Sequence, residues 1–223
     1  MIRFFILEKR LSSVFILLLL LCSCGLGLWK NKQQLPLSEQ QYKEWKDYGG
    51  GPDHSKFVDL RQITKKNIGQ LDVAFVYPVT DNVGYRFNPI VVDNVMYVLA
   101  KNNSLVALDA TTGKELWIHA NLRGIIARGI NFWQSKDKTQ KRLIIFLNNT
   151  MQAIDANTGK PVIDFGESGK GYTDMKQNLD RDPASFGRAT STTPGHVFED
   201  LILVGSAPEK ILLMARGIFV HIV

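Results

Sequence analysis

The stretch "ALDATTGKELW" at residues 107–117 decides the fold, because it nearly returns as "AIDANTGKPVI" at residues 153–163. In both copies a short apolar run ends in an aspartate, Asp109 or Asp155, and a Thr-Gly-Lys turn follows. The aspartate carboxylate can accept hydrogen bonds from backbone N–H groups of the turn, and the glycine supplies the positive φ that lets the chain reverse. Each copy therefore predicts a corner between two antiparallel strands.

The spacing of the two copies predicts the architecture. They lie 46 positions apart, which is close to the length of a four-stranded propeller blade. A single blade cannot bury both of its faces and must stack on neighbouring blades. Trp117, at the end of the first copy, is predicted to lie across the adjoining turn, and Ile163 of the second copy is expected to fill the equivalent place less completely.

Most of the remaining sequence also predicts strands. The segments that follow Leu71 are short, rich in β-branched and aromatic residues, and separated by turn signals. They are VAFVYPV (73–79), PIVVDNVMYVLA (89–100), SLVALDA (104–110), KELWIHA (114–120), RLIIFLNN (142–149), MQAIDA (151–156) and DLILVGS (200–206). The fold class is therefore expected to be all-β.

One earlier segment has a different pattern. The stretch ITKKNIGQL (63–71) indicates a short helical turn with Thr64 as its N-cap. Its apolar residues Ile63, Ile68 and Leu71 are expected to face inward.

The N-terminus has the pattern of an export signal. Basic residues precede an apolar run from Val14 to Trp29. Cys22 and Cys24 end the most apolar part in the manner of a bacterial lipobox, so residues 1–23 are predicted to be a lipoprotein-type signal peptide and Cys24 the lipidated residue. An uncleaved membrane anchor is the open alternative, because about 18 apolar residues can span a bilayer. Both interpretations place the rest of the chain on the periplasmic side of the envelope.

The body of the chain is expected to follow a short linker. Residues 24–41 are predicted to be a tether, and residues 42–223 a β-propeller domain. The formal charge is +6, but its 27 basic and 21 acidic residues are interspersed, and no basic run interleaved with aromatic residues indicates a nucleic-acid partner. The four histidines have no mutual spacing suited to a metal site and are interpreted as strand or turn residues.

These motifs together resemble one family. The pattern Ala107-x-Asp109-x-x-Thr112-Gly113-x-x-x-Trp117 resembles the tryptophan-docking motif of the quinoprotein dehydrogenases, which bind pyrroloquinoline quinone (PQQ) on an eight-bladed propeller. Residues 44–77 resemble the opening segment of that family. Further stretches keep the family's order: NPIVVDNVMYV (88–98), ARGINFW (127–133), GKPVIDFGESG (159–169) and TSTTPGHVFEDLILVGS (190–206).

The resemblance implies that the chain is incomplete. Members of the family are several times longer, whereas here the pattern stops after Ser206. The chain is therefore expected to be the N-terminal part of a PQQ-dependent glucose or alcohol dehydrogenase, with about three of eight blades, and to be inactive alone.

The resemblance also implies a cofactor site. In this family a Ca²⁺ ion polarises the quinone, and an aspartate takes the substrate proton as hydride passes to the ring. Arg128, from its place in "RGINFW", matches the cofactor-binding arginine, although a surface or turn arginine is the open alternative. Thr192, with Ser191 as a rival, and Ser206 match hydroxyl positions at the quinone, but could equally be strand-end caps. The metal ligands and the catalytic aspartate are expected in later blades.

Two departures from the family pattern bear on the substrate. Arg86 stands where an acidic residue often contacts the quinone, and Leu122 and Arg123 stand where many alcohol-oxidising members have an adjacent cysteine pair. The resemblance therefore favours a sugar or polyol as substrate and a respiratory electron acceptor. The alternative is a non-catalytic propeller lipoprotein that scaffolds outer-membrane protein assembly, since such blades use the same docking pattern.

Overall fold

The computed structural model describes residues 44–51, 53–166, 169–177 and 192–205, and the backbone of residues 217–221. The predicted signal peptide with Cys24, the tether, Ser191 and Ser206 lie outside these residues. Within them, no helix is long and apolar enough to cross a membrane.

Three antiparallel sheets follow one another along the chain, and in each the strands lie in sequence order. The first sheet contains β1 (Ile90–Val92), β2 (Val95–Ala100), β3 (Ser104–Asp109) and β4 (Glu115–His119). The second contains β5 (Asn131–Gln134), β6 (Lys141–Leu147), β7 (Thr150–Asp155) and β8 (Tyr172–Asp174). The third contains β9 (His196–Phe198), β10 (Leu201–Gly205) and β11 (Gly217–His221). The all-β prediction is confirmed.

The two repeated stretches form matching corners. Asp109 Oδ1 accepts hydrogen bonds from the backbone N–H of Thr111 at 2.9 Å and of Thr112 at 2.8 Å, and from the Thr112 hydroxyl at 2.9 Å. Asp155 Oδ1 accepts the equivalent three bonds, at 3.1, 2.8 and 2.8 Å, from Asn157 and Thr158. The bonds from Thr112 hold the pKa of Asp109 below its ordinary value. The sequence repeat is therefore a structural repeat of the same hydrogen-bonded turn.

The corner glycines are points of close approach between neighbouring elements. Gly159 has φ of +72°, and a Cβ atom added to it would lie 2.5 Å from the ring of Trp117. The indole Nε1–H of Trp117 donates to the Ala156 carbonyl at 3.1 Å, as does the Tyr97 hydroxyl at 3.2 Å. The predicted docking of Trp117 on the adjoining turn is thus observed, whereas Ile163 is 64% exposed.

The second sheet is buried on both faces. Leu143 and Ile145 of β6 belong to the apolar cluster shared with the first sheet. The alternate residues Ile144 and Phe146 belong to the cluster shared with Ile202 and Val204 of β10. Because side chains alternate across a strand, a strand packed on both faces needs a continuous apolar run, and β6 has one.

Three predictions for residues 63–79 are wrong: the strand at 73–79, the N-cap at Thr64 and the inward-facing apolar residues of the helical turn. Residues 73–79 belong to none of the described sheets. The predicted short helical turn is present as a 3-10 helix of three residues, Ile68–Gln70, but its N-cap is Asn67. Asn67 Oδ1 accepts the Thr64 backbone N–H at 2.6 Å, so Thr64 is bonded by the turn rather than capping a helix. Ile63, Ile68 and Leu71 are exposed rather than facing inward.

Candidate functional site

The segments that precede the first strand of each sheet meet at one place, which we call the leading edge (residues 86–89, 127–130 and 192–195). The backbone N–H of Asn88 donates to the carbonyl of Arg128 at 3.0 Å. The buried side-chain amide of Asn131 donates to the carbonyl of Pro194. One hydrogen bond therefore joins the first two segments of the leading edge, and another joins β5 to the third segment.

Gly129 lies where the opening segment of the chain contacts the leading edge. A Cβ atom at this position would lie 2.9 Å from the ring of Tyr48 and 3.5 Å from Pro194. Because glycine has no side chain, the ring of Tyr48 can pack directly against the backbone at Gly129, next to Arg128.

Two of the predicted site residues lie at the leading edge, with exposed side chains. Arg128 immediately precedes Gly129, and Thr192 begins the segment that leads through Pro194 into β9. The contact between Asn131 and Pro194 brings these two segments together. Ser206 is the third predicted residue and lies outside the described part of the chain.

The residues that depart from the family pattern have separate surroundings. Arg86 is exposed on the leading edge, and Arg123 is exposed in the loop between β4 and β5. Leu122 is buried in the cluster between the first two sheets, and its backbone N–H donates to the carbonyl of Asn103 at 3.0 Å. At this position the chain has a core residue.

Sequence analysis missed a cluster of ionisable groups beside the leading edge. The ring of His54 lies 5.6 Å from that of Tyr48 and 6.2 Å from that of His196, measured between centroids. Burial raises the pKa of Asp47, and the positive charges of Lys46 and of the two histidines oppose this rise. No local sequence pattern predicts this cluster, because the opening segment and β9 are far apart in the sequence and come together only in the folded chain.

The described residues include a suitable side chain for PQQ but no suitable ligand group for calcium. PQQ carries carboxylates, and the exposed guanidinium of Arg128 suits a carboxylate because it can bond both oxygens at once. A calcium site needs several oxygen ligands. In the described ranges no group of three or more His, Cys, Asp or Glu side chains could hold a metal ion, so these residues alone do not form the calcium site that the resemblance implies.

Comparison with known proteins agrees with this geometry. Residues 45–212 match the family model described as "PQQ: Glucose/ethanol/alcohol dehydrogenase, beta-propeller domain". The chain is 32% identical over 131 residues to the dehydrogenase subunit of a quinone alcohol dehydrogenase from Gluconobacter oxydans, covering 53% of this chain and 16% of that protein. It is 25% identical over 200 residues to the quinoprotein glucose dehydrogenase of Escherichia coli, covering 78% of this chain and 24% of that protein. The chain thus spans about a sixth to a quarter of the length of these curated relatives.

Solved structures resemble the chain in fold. The quinohemoprotein alcohol dehydrogenase of Comamonas testosteroni superposes with a TM-score of 0.53 at 20% identity, over 75% of this chain and 24% of that one. The enzyme ADHIIG of Pseudomonas putida gives a TM-score of 0.58 at 22% identity, over 82% of this chain and 25% of that one. The three sheets are accordingly blades of a partial β-propeller. The family match, the repeated docking corners and the fold together establish that the chain belongs to the PQQ-dependent glucose/ethanol/alcohol dehydrogenase family of β-propellers.

Proposed function

We propose that this chain forms part of the propeller of a PQQ-dependent dehydrogenase that oxidises a sugar or an alcohol. The observation that carries this proposal is the family match, which extends over residues 45–212 and includes both docking corners. When bound, the quinone supplies the hydride acceptor, and the protein supplies binding and orientation. The same match favours an enzyme over a scaffolding lipoprotein.

Arg128 is the residue that we propose holds the cofactor. Its guanidinium is exposed at the leading edge, and an exposed cation there can pair with a carboxylate of the quinone. Thr192 would add a hydroxyl from the third sheet, and Ser206 would add a second one. We further propose that calcium binding and removal of the substrate proton require side chains other than those described, so the 223-residue chain alone does not turn over.

Arg128 can be tested by direct binding of PQQ to the purified full chain, measured by calorimetry without substrate. Arg128→Ala is expected to weaken binding at least tenfold, since a charge-assisted bond contributes about 1.5–3 kcal/mol, and Arg128→Lys to restore part of it. Arg123→Ala is the matched control, because this arginine is also exposed but lies away from the leading edge. Equal losses in the Arg128 and Arg123 variants would contradict the assignment.

The proposed lack of turnover has a separate test. The full chain is supplied with PQQ and Ca²⁺, and dye reduction is followed with glucose, glycerol and simple alcohols. We expect no reduction above the protein-free rate. Turnover with any of these substrates would contradict the proposal, because it would show that the 223-residue chain supplies every side chain that the reaction needs.

The substrate class and the location are further parts of the proposal. The absence of the cysteine pair at Leu122 and Arg123 supports a sugar or polyol substrate, with electrons passing to a respiratory acceptor. The apolar run before Cys24 supports export and a lipid anchor on the periplasmic side of the envelope.

A further inference from the structure

The first described residues of the chain form a loop beside the leading edge, which we call the opening loop (residues 44–51 and 53–56). The backbone N–H of Lys56 donates to the carbonyl of Gly49 at 2.8 Å, which closes the loop on itself. Gly49 and Gly50 have φ of +84° and +95°, conformations that glycine adopts without strain and that reverse the chain. The opening loop is therefore a compact unit whose shape is set by its own backbone.

Both ends of the opening loop contact a sheet. At one end, the carbonyl of Trp45 accepts the backbone N–H of Val91, in β1, at 2.7 Å. At the other end, the ring centroid of His54 lies 6.2 Å from that of His196, in β9. The opening loop is thus attached to the first sheet and lies against the third.

Between these two contacts, Tyr48 packs on the segment that leads into β5. The backbone of Gly129 lies under its ring, where an added Cβ atom would come within 2.9 Å of the ring. The φ of Gly129 lies outside the left-handed region. The ring, rather than the backbone conformation, therefore excludes a side chain at this position.

The peptide that joins Arg128 to Gly129 is held from two sides. Its carbonyl oxygen accepts the N–H of Asn88 at 3.0 Å, and the ring of Tyr48 covers the glycine. Among the described residues, the exposed guanidinium of Arg128 has no hydrogen-bond or ion-pair partner of its own. The direction of this side chain is therefore set by its backbone.

We propose that Tyr48 is a positioning residue for Arg128: by packing on Gly129, it holds the backbone at the arginine so that the guanidinium is in place before a carboxylate binds. This inference rests on the proposed function only for the ligand, PQQ. A side chain that is already held in place loses less freedom on binding, so Tyr48 increases the affinity without touching the ligand.

The first test uses the full chain without PQQ and follows hydrogen exchange at the amide of Asn88, which reports on the Arg128 carbonyl. Tyr48→Ala is expected to quicken this exchange about tenfold by loosening the leading edge locally, whereas Tyr48→Phe keeps the ring and should restore the slow rate. Exchange at the amide of Asp155, bonded to the Lys160 carbonyl in the corner of the second sheet, should not change.

Tyr172→Ala is the matched control for this measurement. Tyr172 is also half-buried, but it lies in β8, at the opposite side of the second sheet from β5. It should leave the exchange of Asn88 unchanged. Equal exchange at Asn88 in Tyr48→Ala and the wild type would overturn the proposal, as would equal acceleration by Tyr172→Ala.

The second test measures PQQ binding by calorimetry in two backgrounds. In the wild type, Tyr48→Ala is expected to weaken binding roughly fivefold, which is the cost of ordering one long side chain on binding, and Tyr48→Phe to restore it. In the Arg128→Ala background, Tyr48→Ala should cause no further loss, because the residue through which it acts is gone. A further loss of the same size would show that the ring acts by another route and would overturn the proposal.

Gly129→Ala perturbs the same contact from the other side, and it serves if Tyr48→Ala does not fold, as circular dichroism would show. The added methyl group should displace the ring and so weaken PQQ binding. In the Tyr48→Ala background the methyl group meets no ring, so Gly129→Ala should then change the affinity little. Equal losses in the two backgrounds would contradict the contact.

The two proposals fail in different ways. A wild-type chain that does not bind PQQ would refute the proposed function, while exchange at Asn88 would still decide whether Tyr48 holds the backbone of Arg128. A wild-type chain that binds PQQ no better than Tyr48→Ala would refute the positioning role alone.

Discussion

At Gly159 the corner of the second sheet lies directly against Trp117 of the first sheet, which allows a sharp test of their stacking. Gly159→Ala is expected to destabilise the protein by roughly 2–4 kcal/mol, because the methyl group meets the Trp117 ring and alanine is strained at positive φ. Urea unfolding measures the loss. Gly169→Ala is the matched control, since its φ is +75° and nothing lies within 4 Å of the added Cβ atom. It should cost only the backbone strain, about 1 kcal/mol, and equal losses would contradict the close contact.

Tyr97 should make stability depend on alkaline pH. Burial, followed by the charges of Asp93 and Asp155, raises its pKa to about 12. An unfolded tyrosine ionises near pH 10, so this contribution is complete below about pH 10 and is lost as the pH rises to about 12, amounting to roughly 2–3 kcal/mol. Tyr97→Phe should therefore flatten the decline of stability between these pH values. Unfolding curves of the two proteins that decline in parallel over this range would contradict the assignment.

At the scale of elements, Trp117 links β4 to the corner of the next sheet. Trp117→Phe keeps an apolar ring but removes the bond to the Ala156 carbonyl, which should cost about 1 kcal/mol. Hydrogen exchange should quicken at the backbone amides of Asp155 and Gly159, which close that corner. Trp133→Phe is the control, because the Trp133 indole donates instead to Asp200, in the turn between β9 and β10. Faster exchange at β10, rather than at the corner, in Trp117→Phe would refute the link.

The elements that could be predicted are those whose pairing is local. β2 and β3 are joined by a short turn, and each combines apolar strand residues with flanking turn signals, so the sequence itself specifies the pair. β8 and β9 have three residues each, too few for a periodic pattern. Residues 73–79 have strand composition, but a strand needs a partner, and none is encoded nearby.

At the scale of the molecule, the candidate site was only partly predictable. Arg128 and Thr192 could be named because they lie in stretches that resemble the family. Sequence pattern and composition could not predict that Asp47 and His54 lie near His196, because these residues come together only when the three sheets are stacked. The calcium ligands could not be found among the described residues, where no suitable group occurs.

Export of the whole chain gives a prediction that does not depend on the blades. If Cys24 is the lipidated residue, Cys24→Ala should abolish incorporation of labelled palmitate in a bacterial host and leave the signal peptide uncleaved. Cys22→Ala is the matched control, because it changes the other cysteine of the same segment. It should keep at least half of the label. Labelling that follows Cys22 instead would refute the assignment, and labelling of neither variant nor wild type would favour an uncleaved anchor.

The indoles of Trp117 and Trp133 lie on opposite sides of the second sheet, and each donates its N–H across a different junction. Indole emission shifts colour when such a bond is replaced by water, so each junction contains its own natural fluorophore. Versions of the chain in which Trp117 or Trp133 is the sole remaining one of the four tryptophans would report, without any attached dye, which junction separates first as the stack comes apart.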